Sequence, residues 1–339
     1  MRPIGYLLLF VVGVVNADGA PLFASEDPID ITIALPLQTL IRKAEDRPVV
    51  DATATHLMAN GQSVSLPVRI STRGKSRLRE CRFPPLSFDI DREKAAGTIF
   101  EGQKSLKIVA HCRSSAVFRS YVLQELAIYR AFNVLTEVSF RVRQLNIRYE
   151  DTDEPGRVLE EMGFFIERIG DVASRNGLQR QKVESTKISQ HDPWYASVTA
   201  MFQYLIGNTD WSVIKAPPGD ICCHNARVLS PPGATDGWFV VPYDFDQTGI
   251  INARYAAPVP QLGIRSVRQR LWRGRCVHND QIDGVIQTFN EKREQLESAL
   301  MPEGIRDRKS AQRYIDAFYE IINNPKRLKK DIFDKCLAS

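Results

Sequence analysis

The 339-residue chain lacks several of the features that would assign its class at once. No apolar run reaches the roughly 20 residues needed to span a bilayer; the longest, Ile4–Val15, falls well short. This argues against an integral membrane protein. No period of 20–50 residues recurs, which excludes a solenoid or propeller, and there is no low-complexity tract. G-x-x-x-x-G-K-[ST] is missing, so no Walker-type phosphate loop is present. No pair of cysteines has the C-x₂₋₄-C spacing of a structural zinc site. The excess of 45 Lys and Arg over 40 Asp and Glu is small and scattered. A nucleic-acid-binding domain would concentrate its basic residues on one face, so no nucleic-acid partner is expected.

What is present fits a globular protein: 43% hydrophobic and 25% charged residues, in a chain long enough for one large domain or two lobes around a cleft. Residues 1–20 have the pattern of a signal peptide. Arg2 precedes the apolar stretch, and Val15-Asn16-Ala17 or Ala20 supplies the small residues of a cleavage site. The expected location is therefore secreted or periplasmic, with an uncleaved anchor as the alternative. Six cysteines, an even number, agree with disulfides in such a compartment. The expected pairing is Cys81 with Cys112, and Cys276 with Cys222 or Cys223; buried free thiols are the alternative.

Short alternating runs predict strands at Asp30–Leu35, Thr53–Met58, Ser63–Thr72, Leu86–Ile90 and Lys104–Ala110, in an antiparallel sheet. A helix follows at Ser114–Asn133. Its apolar stripe passes through Phe118, Val122, Tyr129 and Phe132, and position 125 of that stripe is Glu. A carboxylate on an apolar face needs a cation. Lys107, inside the apolar run of the preceding strand, is the favoured partner. Lys104 at the strand mouth and the surface cations Arg119 and Arg130 stay open. Two further strands, Ser139–Tyr149 and Arg157–Arg168, lead through a polar linker, Gly177–Gln190, to a helix from Asp192 to Ile206. The basic segment Ile264–Trp272 suits either an acidic substrate or a solvated helix face. Helices at Gln281–Met301 and Asp307–Asn324 close the chain.

The densest chemistry lies between Phe202 and Tyr255. Gly207-Asn208 stops the helix and puts Asp210 in the loop after it. Strands at Ala226–Leu229 and Trp238–Val241 form a hairpin, with Asn225 before it and Asp244 and Asp246 after it. Asp210, Asn225, Asp244 and Asp246 are thus brought to neighbouring loop ends. These oxygen donors suit a hard divalent cation, with one carboxylate left as a base.

Asn208-x-Asp210, His224-Asn225 and Pro242-Tyr243-Asp244-Phe245-Asp246 resemble the second lobe of the spore-coat kinase family CotH and, more distantly, HipA-type kinases. The resemblance implies an α+β, two-lobed protein-kinase-like fold. Residues 21–168 would form an antiparallel-sheet lobe with one helix, and residues 169–339 a mostly helical lobe with the metal-binding loops. It further implies Mg²⁺-dependent transfer of the γ-phosphoryl group of ATP to a protein hydroxyl. In that mapping Asp210 is the base, and Asn225, Asp244 and Asp246 are metal ligands. Lys107 and Glu125 hold the phosphates, Arg73 in the turn Arg73-Gly74-Lys75-Ser76 faces them, and Glu167 lies near the adenine. The nine residues Lys215–Cys223 between Asp210 and Asn225 depart from the ordinary kinase spacing. A nucleotide-binding protein without turnover, a transferase moving AMP, and a Ca²⁺-binding envelope protein are the alternatives.

Overall fold

A computed structural model describes residues 21–58, 60–74 and 76–338; the expected signal peptide lies outside them. The first half contains β1 (Ile29–Leu35), α1 (Leu37–Arg42), β2 (Val49–Leu57), β3 (Ser63–Thr72), α2 (Ser76–Glu80), β4 (Leu86–Ile90), α3 (Arg92–Ala95), β5 (Ser105–Val109), α4 (Ala116–Leu135), β6 (Val142–Asp151) and β7 (Val158–Ile166). The second half contains α5 (Ile169–Arg175), β8 (Gln179–Gln181), α6 (Pro193–Ile206), β9 (Ala226–Ser230), β10 (Phe239–Pro242), α7 (Ile282–Glu291), α8 (Arg293–Leu300), α9 (Arg308–Ile322) and α10 (Pro325–Asp331).

The strand positions agree with the sequence pattern, but the architecture does not. The seven strands β1-β2-β3-β4-β5-β7-β6 close into a barrel. The sheet is mixed, because β1 pairs in parallel with β6 from Ile29↔Leu145 to Leu35↔Asp151. The expectation of a two-lobed kinase fold with an antiparallel-sheet lobe is therefore corrected. Alternation along a strand shows which side chains face inward, yet it carries no information on which strand lies beside which. A pairing between β1 and a strand more than a hundred residues away is invisible at that level. Closure also removes the sheet's edges.

The inward side chains fill the barrel. Ile31, Ile33, Ile70, Phe88, Ile108, Leu145 and Phe165 are essentially fully buried, with Phe100 packed across Phe88 and Phe165. Each such side chain contributes about 1.5–3 kcal/mol on leaving water. A second core lies outside the barrel, where α4 packs against β7 and against α6 and α8, and α6 in turn against α7 and α9. β8 joins the expected hairpin as a third strand, in the order β10-β9-β8. It falls within the polar stretch that reads as a linker. The expected helix Gln281–Met301 is two helices, α7 and α8, separated at Lys292. Ile264–Trp272 is not helical; Arg270 instead donates to the carbonyls of Tyr204 and Leu205.

Three disulfides are formed: Cys81–Cys112, Cys222–Cys223 and Cys276–Cys336. The first was expected. The pairing of Cys276 with Cys222 or Cys223 is corrected: a short parallel bridge, Arg275↔Leu337, draws the chain's end alongside Cys276. Cys222 and Cys223 pair with each other inside a small core with Val228, Trp238 and Val240. Three disulfides fit a secreted or extracellular protein. Among the described residues no helix is long and apolar enough to cross a membrane.

The Cys276–Cys336 bridge closes a long loop, with a sequence separation of 60. Replacing both cysteines by Ser is expected to lower unfolding stability by about 2–4 kcal/mol in denaturant titration. Non-reducing peptide mapping should find Cys222 and Cys223 oxidised within one peptide. A peptide linking either of them to Cys276 would contradict the observed pairing.

Candidate active site

The loop carrying Asp210 is shaped by the end of α6. Asp192 caps the start of that helix, its side chain accepting from the Tyr195 N–H at 2.7 Å. Gly207 ends it at φ +66°, where a Cβ would fall 1.9 Å from the Tyr314 hydroxyl, so no other residue fits without displacing Tyr314. Asn208 Oδ1 then accepts from the Asp210 N–H at 2.9 Å. Arg273 donates to the carbonyls of Thr209 and Trp211, at 2.7 and 2.6 Å. The backbone around Asp210 is held on both sides.

The insert between Asp210 and Asn225 does not separate them. The His224 ring is 2.7 Å from Asp210 Oδ1, and Asn225 Nδ2 donates to the Asp210 carbonyl at 2.7 Å and to Oδ2 at 3.0 Å. The hydrogen bond to Asp210 raises the His224 pKa above its ordinary value. Asn225 takes a left-handed backbone, φ +51°, and its carbonyl accepts from the Tyr243 N–H at 2.9 Å. With Nδ2 engaged, the side-chain atom left for a ligand is Oδ1, an oxygen suited to a hard cation.

Asp244 and Asp246 follow β10 and are gripped by α4. The Asp244 N–H donates to the Tyr129 hydroxyl at 2.8 Å, and the Glu125 carboxylate takes a hydrogen bond from the Phe245 backbone. Asp244 has φ +66°, unusual for a residue with a side chain. The cation for Glu125 is Arg77. Its Nη1 lies 3.9 Å from Glu125 Oε2 and 3.9 Å from Asp246 Oδ2, while its Nη2 donates to the Ala110 carbonyl at 2.8 Å. The expected Lys107–Glu125 pair is not among the ion pairs of the described residues. Lys107 points instead at Tyr243, with Nζ 4.8 Å from the ring centroid. Lys104 lies apart, on the barrel wall beside Arg69 and Asp89.

Two fields of opposite sign meet here. Burial, with the Asp244 charge added, pushes Asp246 up to about 7. Burial and Asp246 likewise raise Glu125. Across from them, burial and then Arg73 and Arg227 push Lys107 down to about 7. Burial also holds Arg73 below its ordinary range, partly offset by Asp244. Arg227 stacks over Tyr243 at 4.5 Å from its centroid, and Arg180 adds to the repulsion on Lys107. Asp244 is the hinge of the arrangement: its charge acts on Lys107, Arg73, Arg77, His224, Asp246 and Glu125 alike.

The structure thus brings Asp210, Asn225, Asp244, Asp246, Glu125, Arg73 and Lys107 into one region. Glu167 is spent elsewhere. Its carboxylate accepts from the Arg141 N–H and from Arg175, both at 2.9 Å, tying β6 to α5. Sequence reasoning missed Arg77, Arg180, Arg227 and Tyr129 as members. Arg77 had the strongest available signal, four residues after Arg73 in the same basic turn. No ready-made cage of three His, Cys, Asp or Glu side chains occurs among the described residues. A Mg²⁺ ion held by one or two carboxylates and by substrate phosphates needs none, and the Asn225–Asp244–Asp246 oxygens beside a cation cluster fit that mode. Searches against family models and against curated proteins find no match to this chain.

The single guanidinium of Arg77 serves two buried carboxylates, which fixes the sign of two effects. Asp246 has a folded-state pKa raised from 3.8 to about 7. Its ionisation therefore costs nothing below pH about 4, grows costly between 4 and 7, and is fully felt above. Asp246→Asn should raise stability, most at pH 8 and not at pH 4. Arg77→Met leaves both carboxylates without a cation and should cost about 3–5 kcal/mol at pH 8. Denaturant titrations at the two pH values test both signs.

Proposed function

We propose that the protein is an exported phosphotransferase that moves the γ-phosphoryl group of ATP to a hydroxyl on a protein substrate, with Mg²⁺. The observation that carries this proposal is the meeting of two groups at Asp244. On one side are the oxygens of Asp210, Asn225 and Asp246; on the other are Lys107, Arg73 and Arg227. Phosphoryl transfer asks a protein mainly for positioning and charge neutralisation, and such a set supplies both. Mg²⁺ and ATP, when bound, bring the transferable group and part of its charge compensation.

The chain's own residues then divide the work. Asp210 orients the accepting hydroxyl and takes its proton. Asn225 Nδ2 fixes one oxygen of the Asp210 carboxylate, and the His224 ring holds the other. Asn225 Oδ1, Asp244 and Asp246 would hold the metal. Lys107, Arg73 and Arg227 would hold the phosphates. Because Arg77, not Lys107, neutralises Glu125, α4 acts on the site through the Asp244–Asp246 backbone rather than through a lysine. That departure favours one second reading, nucleotide binding without turnover.

Thermal shift with ATP·Mg²⁺ should stabilise the wild type, by about 2.7 kcal/mol at a hundredfold excess over Kd. Asp244→Ala should lose that gain. Asp210→Asn should keep it and reduce hydroxyl phosphorylation at least about a hundredfold. A stabilisation in wild type with no phosphate transfer to any hydroxyl selects the second reading. No stabilisation in any variant ends the nucleotide proposal.

Lys107 gives a separate pH signature. Phosphate binding favours the ammonium, which is present below pH 7 and must be formed by proton uptake above it. ATP affinity should therefore fall by up to about tenfold per unit above pH 7. In Lys107→Arg the decline attributable to this group should vanish, and isothermal titration across pH 6–9 in both proteins measures the difference.

A further inference from the structure

A concavity of about 360 Å³ lies between the start of α4, the segment after Asp246, and the approach to α9. Three arginines from three separate segments line it: Arg254, Arg268 and Arg306. None of the three is paired with a carboxylate among the described residues. The Arg268 guanidinium lies over the Tyr314 ring at 4.9 Å, and the Arg306 backbone N–H donates to Ser120. The one carboxylate on the wall, Asp307, is engaged at the N-cap of α9, accepting from the Ser310 N–H at 3.2 Å. Three guanidinium groups against one committed carboxylate leave a net positive hollow. Elsewhere the chain pairs its arginines readily, as at Arg119–Glu161 and Arg175–Glu167. Gln124, on the same wall, donates its amide to Ser120.

The hollow shares a wall with the candidate active site. Tyr255, which follows Arg254, hydrogen-bonds Asp246 and packs against Phe118 and Tyr121 of α4. Tyr121 lines the hollow. A chain occupying it would be linked to Asp246 through Tyr121 and Tyr255.

We infer that this hollow is a docking subsite for an acidic segment of the acceptor protein, its arginines receiving Asp or Glu carboxylates. The inference rests on the phosphoryl-transfer proposal and gives its substrate class. Guanidinium forks match planar carboxylates with two hydrogen bonds each, which is why unpaired arginines in a hollow select such partners. Charge complementarity of this kind acts on recognition and does not need the nucleotide.

The test uses fluorescence anisotropy on the full chain without nucleotide. The probes are a labelled Glu-rich peptide containing Ser and a matched peptide with Gln for Glu. The acidic peptide should bind and the Gln peptide should not. Arg254→Gln with Arg306→Gln should weaken binding at least about tenfold, the scale of a lost charge-assisted pair. Lys329→Gln with Lys330→Gln, on α10, should leave it unchanged. Arg254→Lys, a milder change that tests for misfolding, should weaken it less than the double variant. Binding that survives the Arg254/Arg306 change, or equal binding of the two peptides, overturns the inference. So does displacement by millimolar inorganic phosphate with no preference for the acidic peptide, which would make the hollow a site for free oxyanions. A nucleotide-induced stabilisation with no acidic-peptide binding removes this inference alone. Peptide binding with no nucleotide effect keeps the subsite and removes phosphoryl transfer.

Discussion

The interaction on which the site depends is the buried contact of Arg77 with Glu125 and Asp246. It joins three pieces of chain distant in sequence: α2, α4 and the segment after β10. Each ion alone would be costly away from water, and the cluster stands because every member has further support. Arg77 is tied to the Ala110 carbonyl, and the Cys81–Cys112 bridge clamps the end of α2 to the exit of β5. Glu125 takes the Phe245 N–H. One turn later on α4, Tyr129 takes the Asp244 N–H. A left-handed Asp costs of order 1–3 kcal/mol and persists where the surroundings over-determine it. Here they do: the backbone of residues 244–246 is held at consecutive N–H groups by one face of one helix.

From that fixed point the polarity of the region follows. Carboxylates gather on the Arg77 side and cations on the Tyr243 side, with Asp244 between them. The cations repel one another, since Lys107 is pushed down to about 7 by burial and by its arginine neighbours. The carboxylates repel likewise. Both halves are poorer in counter-charge than a purely structural network would be, and each would be relieved by a ligand of opposite sign. A metal on one side and a polyanion on the other answer both demands together, which is the physical content of a preorganised phosphate-handling site.

Much of this was legible in the residues and some was not. The left-handed stop at Gly207, the hairpin before Asp244, and the anomalous Glu125 in an apolar stripe are local signals, and local signals transfer to structure. The partner of Glu125 is not local. Lys107 sits on the strand just before α4, whereas Arg77 comes from α2, two strands earlier, and is held by the Ala110 carbonyl beside the Cys81–Cys112 bridge. Glu167 is likewise bound to a residue beyond its own strand. Its place at the end of β7 was right, but Arg175, eight residues on, consumes its carboxylate. The parallel β1–β6 pairing that closes the barrel is the extreme case, since nothing in either strand names the other.

The closed barrel and the candidate site are compatible, because the site borrows side chains from the barrel without depending on how the sheet closes. Function belongs to sites grafted onto folds. The barrel contributes Lys107 from the middle of β5 and Arg73 from the turn after β3, and β4 pairs with both of those strands. The remaining groups come from loops fastened outside it: the Asp210 turn by Arg273, the Asn225 turn by the Tyr243 N–H, and residues 244–246 by α4. An open sheet is not required to aim a lysine and an arginine at a carboxylate. What is required is that strand, helix and hairpin keep their spacing when charge is added, and here a disulfide, a buried guanidinium and two backbone hydrogen bonds resist any change in it.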